Sequence, residues 1–456
     1  MENSITITGR EKEKEELQEA LTSNEAELIS VIGRRRVGKT FLIETIYQSR
    51  IIFQLTGIQK EPLFTQLRNF RDVIAEYSNS HLPIEQPKDW LAAFQVLKAY
   101  LKPLLGVEKK VLFFDELPWI STHKSGFLSA FGYFWNSWAK RQNLVIVICG
   151  SAASWMIQKV VNDTGGLHNR ITKRLDLQAF TLEETKRYLE NRSLFFDHYQ
   201  LLQIYMATGG IPHYLKAIRK AKSAAQIIDE MCFSSTGLLR TEFPNLYASL
   251  FKNHERHIAV IRALATKKQG MTRKEILAKT KTVSGGGVSK VLTELSHSGF
   301  ITDYFPFGKK HNPKVYRLTD EYSLFYLQFL ENKKHAREGT WQTLSQTQAY
   351  KTWSGYAFEN ICLKHIPQIK KALGISRVYT LASTFYQAGK KGQKGAQIDL
   401  VLDRNDHVIN LFEIKFYSDQ FTLTKAYAEA IRQKQTVFKN SSKTRKQIFW
   451  VLLTTF

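Results

Sequence analysis

Gly33-Arg34-Arg35-Arg36-Val37-Gly38-Lys39-Thr40 stands between the apolar run Glu27 to Ile32 and a helical pattern that continues through Phe41 to Tyr47. The spacing GxxxxGK[ST] has a physical logic. Two glycines let the backbone curl so that its N–H groups face phosphate oxygens, a lysine neutralises the terminal phosphates, and a hydroxyl ligates Mg²⁺. A strand pattern before it and a helical pattern after it are the context such a loop requires. The stretch predicts a phosphate-binding P-loop in an α/β domain.

Outward from this loop, Val111-Leu112-Phe113-Phe114 ends in Asp115-Glu116. An apolar strand closing on two carboxylates completes such a site: Asp115 holds Mg²⁺ and Glu116 activates the attacking water. A third apolar run, Leu144 to Ile148, ends in Cys149-Gly150-Ser151, where a polar side chain beside the γ-phosphate senses hydrolysis. Ser151 is the candidate, with capping of the next helix as its other role. Continuous apolar runs bounded by polar residues are strands buried on both faces, the mark of a parallel sheet covered by helices. Phe127 to Arg141 sets Phe131, Phe134, Trp135 and Trp138 at helical spacing, which reads as core rather than ligand site. After Thr181 the pattern turns helical over Leu182 to Asn191, Tyr199 to Thr208 and Tyr214 to Ala221, predicting an all-helical lid.

At 456 residues the chain exceeds one ordinary core and predicts several domains. Lys and Arg number 65 against 41 Asp and Glu, a net charge of +24. That excess favours a polyanionic partner, nucleic acid before an anionic membrane, because no long basic amphipathic anchor accompanies it. Charge serving solubility alone is the other reading. Cys149, Cys232 and Cys362 are far apart and odd in number, which excludes a disulfide framework and a CxxC zinc pattern and fits a reducing cytoplasm. Met1 to Glu19 is too polar for a signal peptide. The most apolar stretch, Leu144 to Cys149, is far short of the roughly 20 residues that span a bilayer. A soluble cytoplasmic protein with no membrane contact is expected.

Further along, His257 to Thr266, Thr272 to Lys279 and Val288 to Ser298 read as three helices, with a turn at Ser284-Gly285-Gly286-Gly287. Phe300 to Tyr304 and Lys314 to Leu318 follow as two strands around a polar loop. This is the pattern of a winged helix-turn-helix, whose third helix enters a major groove in some domains and only braces neighbours in others. Gly308-Lys309-Lys310-His311 at the wing tip is a phosphate contact or a solvated loop. Asp320 to Asn332 is aromatic-rich, and Glu331 to Gln348 is polar enough for a linker. A helix at Gly355 to His365, a strand at Val378-Tyr379, a hairpin over Gln397 to Lys415, a helix from Leu423 to Phe438 and a strand from Gln447 to Leu453 complete the chain. The expected organisation is residues 1–222 for the P-loop sheet with its lid, 223–254 for a helical connector, 255–320 for the winged helix, 321–349 for a linker and 350–456 for a C-terminal α/β domain.

The C-terminal hairpin carries its own chemistry. Metal-dependent cleavage of a phosphodiester needs carboxylates converging on Mg²⁺, and a lysine to orient water and balance developing charge. Asp399 stands on one arm, and period-two alternation puts Glu413 and Lys415 on one face of the other. Polar groups facing inward from the apolar neighbours Leu411, Phe412, Ile414 and Phe416 are costly unless they have a task.

Two resemblances follow. Thr8-Gly9-Arg10-Glu11, Gly33 to Thr40, Phe113 to Trp119, Gly150-Ser151 and Gly209-Gly210-Ile211-Pro212-His213-Tyr214-Leu215 resemble, in order, the archaeal-type ATPase family of the AAA+/STAND class. This resemblance covers the first half of the chain and implies ATP as ligand, with Gly9 and Arg10 at the base-binding edge. Gly165-Gly166-Leu167-His168-Asn169-Arg170 is similar to a family segment ending in Gly-Arg, with Asn169 in place of the glycine. Arg170 is then a γ-phosphate or trans-acting arginine, or a surface arginine. The expected nucleotide site comprises Gly9, Arg10, Gly33, Arg34, Arg35, Arg36, Val37, Gly38, Lys39, Thr40, Phe41, Asp115, Ser151 and Arg170, with Thr40 and Asp115 on the metal and Glu116 catalytic.

The second resemblance is to the PD-(D/E)XK nuclease superfamily, with its restriction-endonuclease-like fold. It rests on Gly355-Tyr356-Ala357-Phe358-Glu359, Asp399 and Glu413-Ile414-Lys415; Ile398 stands where a proline is expected. It implies that Asp399 and Glu413 ligate metal, Lys415 is the catalytic lysine and Glu359 assists metal or water binding. Gln433 and Lys434 lie near an accessory polar position, and Lys390, Lys391 and Lys394 would give the site a basic approach. The first expectation is an ATPase coupled to a nuclease acting on nucleic acid, DNA before RNA. A second is a nucleotide-controlled signalling switch that forms homo-oligomers and whose C-terminal fold serves as a non-cutting DNA or partner platform. Retention of Glu359, Asp399, Glu413 and Lys415 together favours the first. A third, a DNA-remodelling motor or transcription regulator, needs ring assembly and a trans-acting Arg170.

Overall fold

Glu27–Ile32 (β1) is buried along its whole length, so both faces of the sheet it belongs to are covered. The structure, a computed structural model, describes residues 7–78, 84–280, 285–308, 314–333, 337–389 and 395–456. It falls into two compact units divided after Phe180. The first runs α1 (Glu11–Thr22), β1, α2 (Lys39–Tyr47), β2 (Ile51–Thr56), α3 (Leu63–Ser78), α4 (Trp90–Leu101), β3 (Lys110–Asp115), α5 (Leu117–Ile120), α6 (Phe127–Ser137), β4 (Leu144–Gly150), α7 (Ala153–Met156) and β5 (Lys173–Asp176).

All pairings here are parallel and the strand order is β2-β3-β4-β1-β5. β4 lies between β1 and β3, with Ile32 beside Gly150 and Phe114 beside Ile148, so the carboxyl ends of three neighbouring strands meet. Ligands of open parallel sheets bind outside those ends. The three expected strands are present as β1, β3 and β4. The edge strands β2 and β5 carry shorter apolar signals: β2 breaks its run at Gln54, and β5 buries only Leu175 among Lys173, Arg174 and Asp176. On one face the α6 aromatics form the core: Phe94 stacks on Phe134 at 5.0 Å and meets Phe131 at 5.9 Å. Such ring pairs add about 0.5–1.5 kcal/mol beyond burial alone.

The second unit opens with helices α8 (Leu182–Glu190), α9 (His198–Thr208), α10 (Pro212–Lys216), α11 (Ala224–Phe233) and α12 (Glu242–Leu250). A capping box between Thr181 and Glu184 starts α8. Then come α13 (His254–Ala265), β6 (Met271–Thr272), α14 (Arg273–Thr280), α15 (Gly285–His297), β7 (Ile301–Tyr304) and β8 (Val315–Leu318), three helices on a small antiparallel sheet of order β6-β8-β7. Gly285, Gly286 and Gly287 begin α15 rather than forming the expected turn. Ser284 and the wing-tip residues Lys309, Lys310 and His311 lie outside the described residues.

Residues 321–349, expected as a linker, hold α16 (Glu321–Phe329) and α17 (Thr340–Leu344). Their aromatic side chains find a core: Phe325 and Phe329 each lie within 5.1 Å of the buried Trp341 ring. The Asp229 carboxylate accepts the Gly339 and Trp341 N–H groups and fixes the start of α17. The chain ends with α18 (Gln348–Lys364), α19 (Ile366–Ala372), β9 (Thr380–Gln387), β10 (Ala396–Arg404), β11 (Val408–Lys415), α20 (Lys425–Ser442) and β12 (Gln447–Thr454). The strand expected at Val378-Tyr379 begins later, because Val378 closes a turn onto the Ile375 carbonyl. The sheet order is β12-β11-β10-β9, antiparallel except for the β11·β12 pair bridged by α20. Among the described residues no helix is long and apolar enough to cross a membrane.

Candidate functional site

At the carboxyl end of β1 the loop backbone needs its glycines. Gly38 sits at φ 91°, in the left-handed region that side chains disfavour. A methyl group on Gly33 would meet the Leu177 carbonyl oxygen at 2.4 Å. The Lys39 ammonium is buried and donates to the Gly33 and Arg34 carbonyls at 2.9 and 3.2 Å. The Thr40 hydroxyl donates to Asp115 Oδ2 at 2.7 Å, which brings the two expected Mg²⁺ ligands from loop and strand together.

Glu116 follows Asp115 in a left-handed conformation, φ 49°, rare for a residue with a side chain. Its carboxylate accepts the Ser151 hydroxyl at 2.7 Å and the Ser151 N–H at 3.1 Å, so β3 and β4 are tied across their ends. Arg35 lies over the Trp119 ring at 5.8 Å, and Phe41 is largely exposed on α2. Arg34, Arg36 and Val37 complete the loop. Hard oxygen donors at Thr40 and Asp115, beside a buried ammonium, suit Mg²⁺ bound with nucleotide phosphates.

Two expected members of the site sit differently. Arg10, placed by Gly9 and itself left-handed at φ 61°, is buried beneath the loop. It donates to the Val37 carbonyl at 3.4 Å and the Gln178 carbonyl at 2.5 Å, and stacks over Phe180 at 4.9 Å. It braces the loop from behind. Arg170 precedes β5, and since Ile29 pairs with Lys173 it lies beside the amino end of β1. A strand of this length spans about 20 Å, so the exposed Arg170 is far from its own loop. That position does not suit a γ-phosphate contact within one chain, and leaves a trans-acting arginine or a surface arginine as its readings.

The C-terminal site is built on the hairpin β10–β11. The register of β10 against β9 shifts between Ile398 and Val401, a bulge that re-aims Asp399. The buried Asp399 accepts the Ile414 N–H at 3.0 Å, next to Glu413 across the strand pair. Both oxygens of Glu413 are taken: Tyr427 and Lys415 reach Oε1 at 2.7 and 2.8 Å, and Lys434 reaches Oε2 at 2.6 Å. Burial pushes the Glu413 carboxyl up, but the Lys415 and Lys434 ammoniums outweigh it and leave it below the usual range. Burial lowers Lys415, and contact with Glu413 more than restores it. Asp399 is raised by burial, with the Glu413 charge adding to the effect.

Glu359, on α18, is pushed up to about 7 by burial and by the Asp399 charge. The opposing group was missed by the sequence reading: Arg317 of β8, buried, pairs with Glu359 at 3.3 Å and lies over the Tyr356 ring at 4.7 Å. Its only sequence signal was a charged residue at an inward position of an expected wing strand. Tyr427 was missed as well, while Gln433 makes no contact with these carboxylates that the structure records. Lys390, Lys391 and Lys394 lie outside the described residues.

Asp399 and Glu413 have the chemistry for a divalent cation. Here Lys415 and Lys434 supply the balancing charge, and among the described residues no three acidic, His or Cys groups converge as a ready metal cluster.

Residues 7–218 match the family described as an ATPase domain predominantly from Archaea. An uncharacterized protein of Methanocaldococcus jannaschii is 24% identical over 438 residues, 94% of this chain and 92% of its own length. Among solved structures, the Walker-type ATPase PABY2304 of Pyrococcus abyssi is 18% identical with a TM-score of 0.51, over 70% of this chain and 96% of that one. The Aeropyrum pernix ORC2 protein, in ADPNP–ADP complexes, is 17% identical with a TM-score of 0.43, over 72% and 94%. The likeness to the Pyrococcus protein shows the P-loop α/β fold.

Proposed function

We propose that the first unit binds and hydrolyses Mg²⁺-ATP and that the C-terminal hairpin belongs to a metal-dependent nuclease site acting on nucleic acid, DNA first. The observation that supports the ATPase reading is the meeting of Thr40 with Asp115 and of Glu116 with Ser151 at three adjacent strand ends. Lys39, now held by loop carbonyls, would exchange them for β- and γ-phosphate oxygens. Glu116 would take a proton from the water that attacks the γ-phosphorus as the bond to ADP breaks. Ser151 holds that carboxylate in place.

The nuclease reading is supported by Asp399, Glu413 and Lys415 sharing one edge of a β-hairpin backed by α18 and α20. A bound divalent ion would supply charge stabilisation at the phosphate, with Asp399 and Glu413 holding it. The region from α13 to β8 is read as a winged helix, and homo-oligomerisation is the route by which Arg170 would act.

The saturation of Glu413 by two lysines and a tyrosine favours a second reading, a nucleotide-controlled switch whose C-terminal fold does not cut. The test is phosphate release from Mg²⁺-ATP, with cleavage of plasmid and single-stranded DNA in Mg²⁺ or Mn²⁺ with and without ATP. ATP turnover with metal-dependent cutting is expected. Turnover without cutting under any condition selects the switch, and absence of turnover removes the ATPase reading.

A further inference from the structure

Within the second unit, a cleft of about 1020 Å³ lies between the three-helix unit and strands β9 and β10 of the C-terminal sheet. Asp399 lines it, with Glu359 and Arg317 of β8 in contact with each other, and Tyr304, Tyr386 and Gln387 line it as well. Phe307 anchors the two walls: its ring packs on Phe438 at 4.9 Å and its N–H donates to the Thr384 carbonyl at 3.2 Å. The cleft is thus a built feature of the fold, with the candidate site in its side.

We infer that this cleft seats a single strand of nucleic acid, with Arg317 contacting its phosphodiester backbone and Tyr386 and Tyr304 stacking its bases. The inference rests on the nuclease reading of Asp399 and deepens it to a substrate class. Arg317 is 4% exposed, yet its Nε has no hydrogen-bond partner, while its terminal nitrogen pairs with Glu359. A guanidinium has five donors in a planar fork, so Arg317 can hold Glu359 and still offer a terminal N–H to a phosphate oxygen in the cleft it lines. Tyr386 is 62% exposed at the cleft and presents a ring face at no structural cost. Stacking platforms beside a cation are how unpaired strands are held, because only unpaired bases offer their faces. A duplex would keep its bases from both tyrosines.

The test is fluorescence anisotropy of the full chain, in EDTA to prevent cleavage, with a labelled single-stranded oligodeoxynucleotide and its duplex. Wild type should bind the single strand at least 10-fold more tightly. Arg317→Ala should weaken it about 10-fold, with partial recovery in Arg317→Lys. Tyr386→Ala, at an exposed position that folding does not need, should weaken it 5-fold or more while ATP turnover stays unchanged. Wild-type affinity in both Arg317→Ala and Tyr386→Ala, equal or tighter duplex binding, or no binding by wild type would each overturn the inference. Cutting in Mg²⁺ with binding untouched by these variants leaves the nuclease reading standing and sinks the cleft. Binding lost as expected without cutting does the reverse.

Discussion

Glu116 occupies a backbone conformation that costs a residue with a side chain on the order of 1 kcal/mol, and it is held there by Ser151. Both Ser151 donors converge on its carboxylate, so the hydroxyl positions the group proposed to take the proton from water. Ser151→Ala removes the 2.7 Å bond and leaves the main-chain bond. ATP turnover in that variant should fall about 10-fold, the size expected for loss of one positioned hydrogen bond, with nucleotide affinity unchanged by fluorescence titration. Weakened affinity with unchanged turnover would place Ser151 in binding instead. Gly33 makes the opposite kind of demand. Gly33→Ala drives a methyl into the Leu177 carbonyl at 2.4 Å, and overpacking of this kind costs about 1–3 kcal/mol. The variant should melt lower and bind nucleotide poorly; a wild-type melting curve would show that the loop relaxes freely.

Between elements, His365 ends α18 and reaches the start of α8. Its Nε2 accepts the Leu182 N–H at 3.0 Å, and its Nδ1 lies 2.7 Å from the Ile361 carbonyl, so the ring is neutral with the proton on Nδ1. Burial lowers its pKa. The unfolded chain therefore takes up a proton near pH 6.5 before the folded one does. Stability contributed by this joint is complete above that pH and is lost as pH falls toward the folded value, at up to about 1.4 kcal/mol per pH unit. Thermal melts between pH 7.5 and 5.5 should show this loss, and His365→Gln should flatten part of it. An identical pH slope in the variant would remove His365 from the account. The same scale explains what could be read in advance. β1, β3 and β4 were legible because burial on both faces leaves an unbroken apolar run, whereas β2 and β5 sit at sheet edges, where Gln54 and Thr56 of β2 and the charged Lys173, Arg174 and Asp176 of β5 are allowed. Asp399, Glu413 and Lys415 were legible through spacing within one hairpin. Arg317 and Tyr427 were not, because folding brings them to Glu359 and Glu413 across 42 and 14 positions respectively. The polar Glu331 to Gln348 stretch hid the buried Trp341, whose aromatic partners lie elsewhere in the sequence.

At the scale of the whole molecule, the two proposed sites are carried by different units, Lys39, Thr40, Asp115 and Glu116 by the first and Asp399, Glu413 and Lys415 by the second. Lys39 is satisfied by its own loop, and Lys415 by Glu413, so each can be removed without stripping the other site of a partner. Lys39→Ala should abolish ATP turnover while leaving metal-dependent cutting without ATP at the wild-type level. Lys415→Ala should stop cutting and spare turnover, since loss of a positioned charge at a phosphoryl centre costs about 100-fold or more. Removing Lys415 also strips one cation from a buried carboxylate, so Lys434 alone must balance Glu413, and a modest fall in melting temperature is expected beside the lost activity. The informative combination is Lys39→Ala assayed for cutting with ATP added. If the nucleotide governs the hairpin, wild-type cutting will change on adding ATP and the variant's will not. If both respond equally, ATP acts at some place other than the Gly33 to Thr40 loop. If neither responds, the two units work independently, and their presence in one chain serves localisation rather than control.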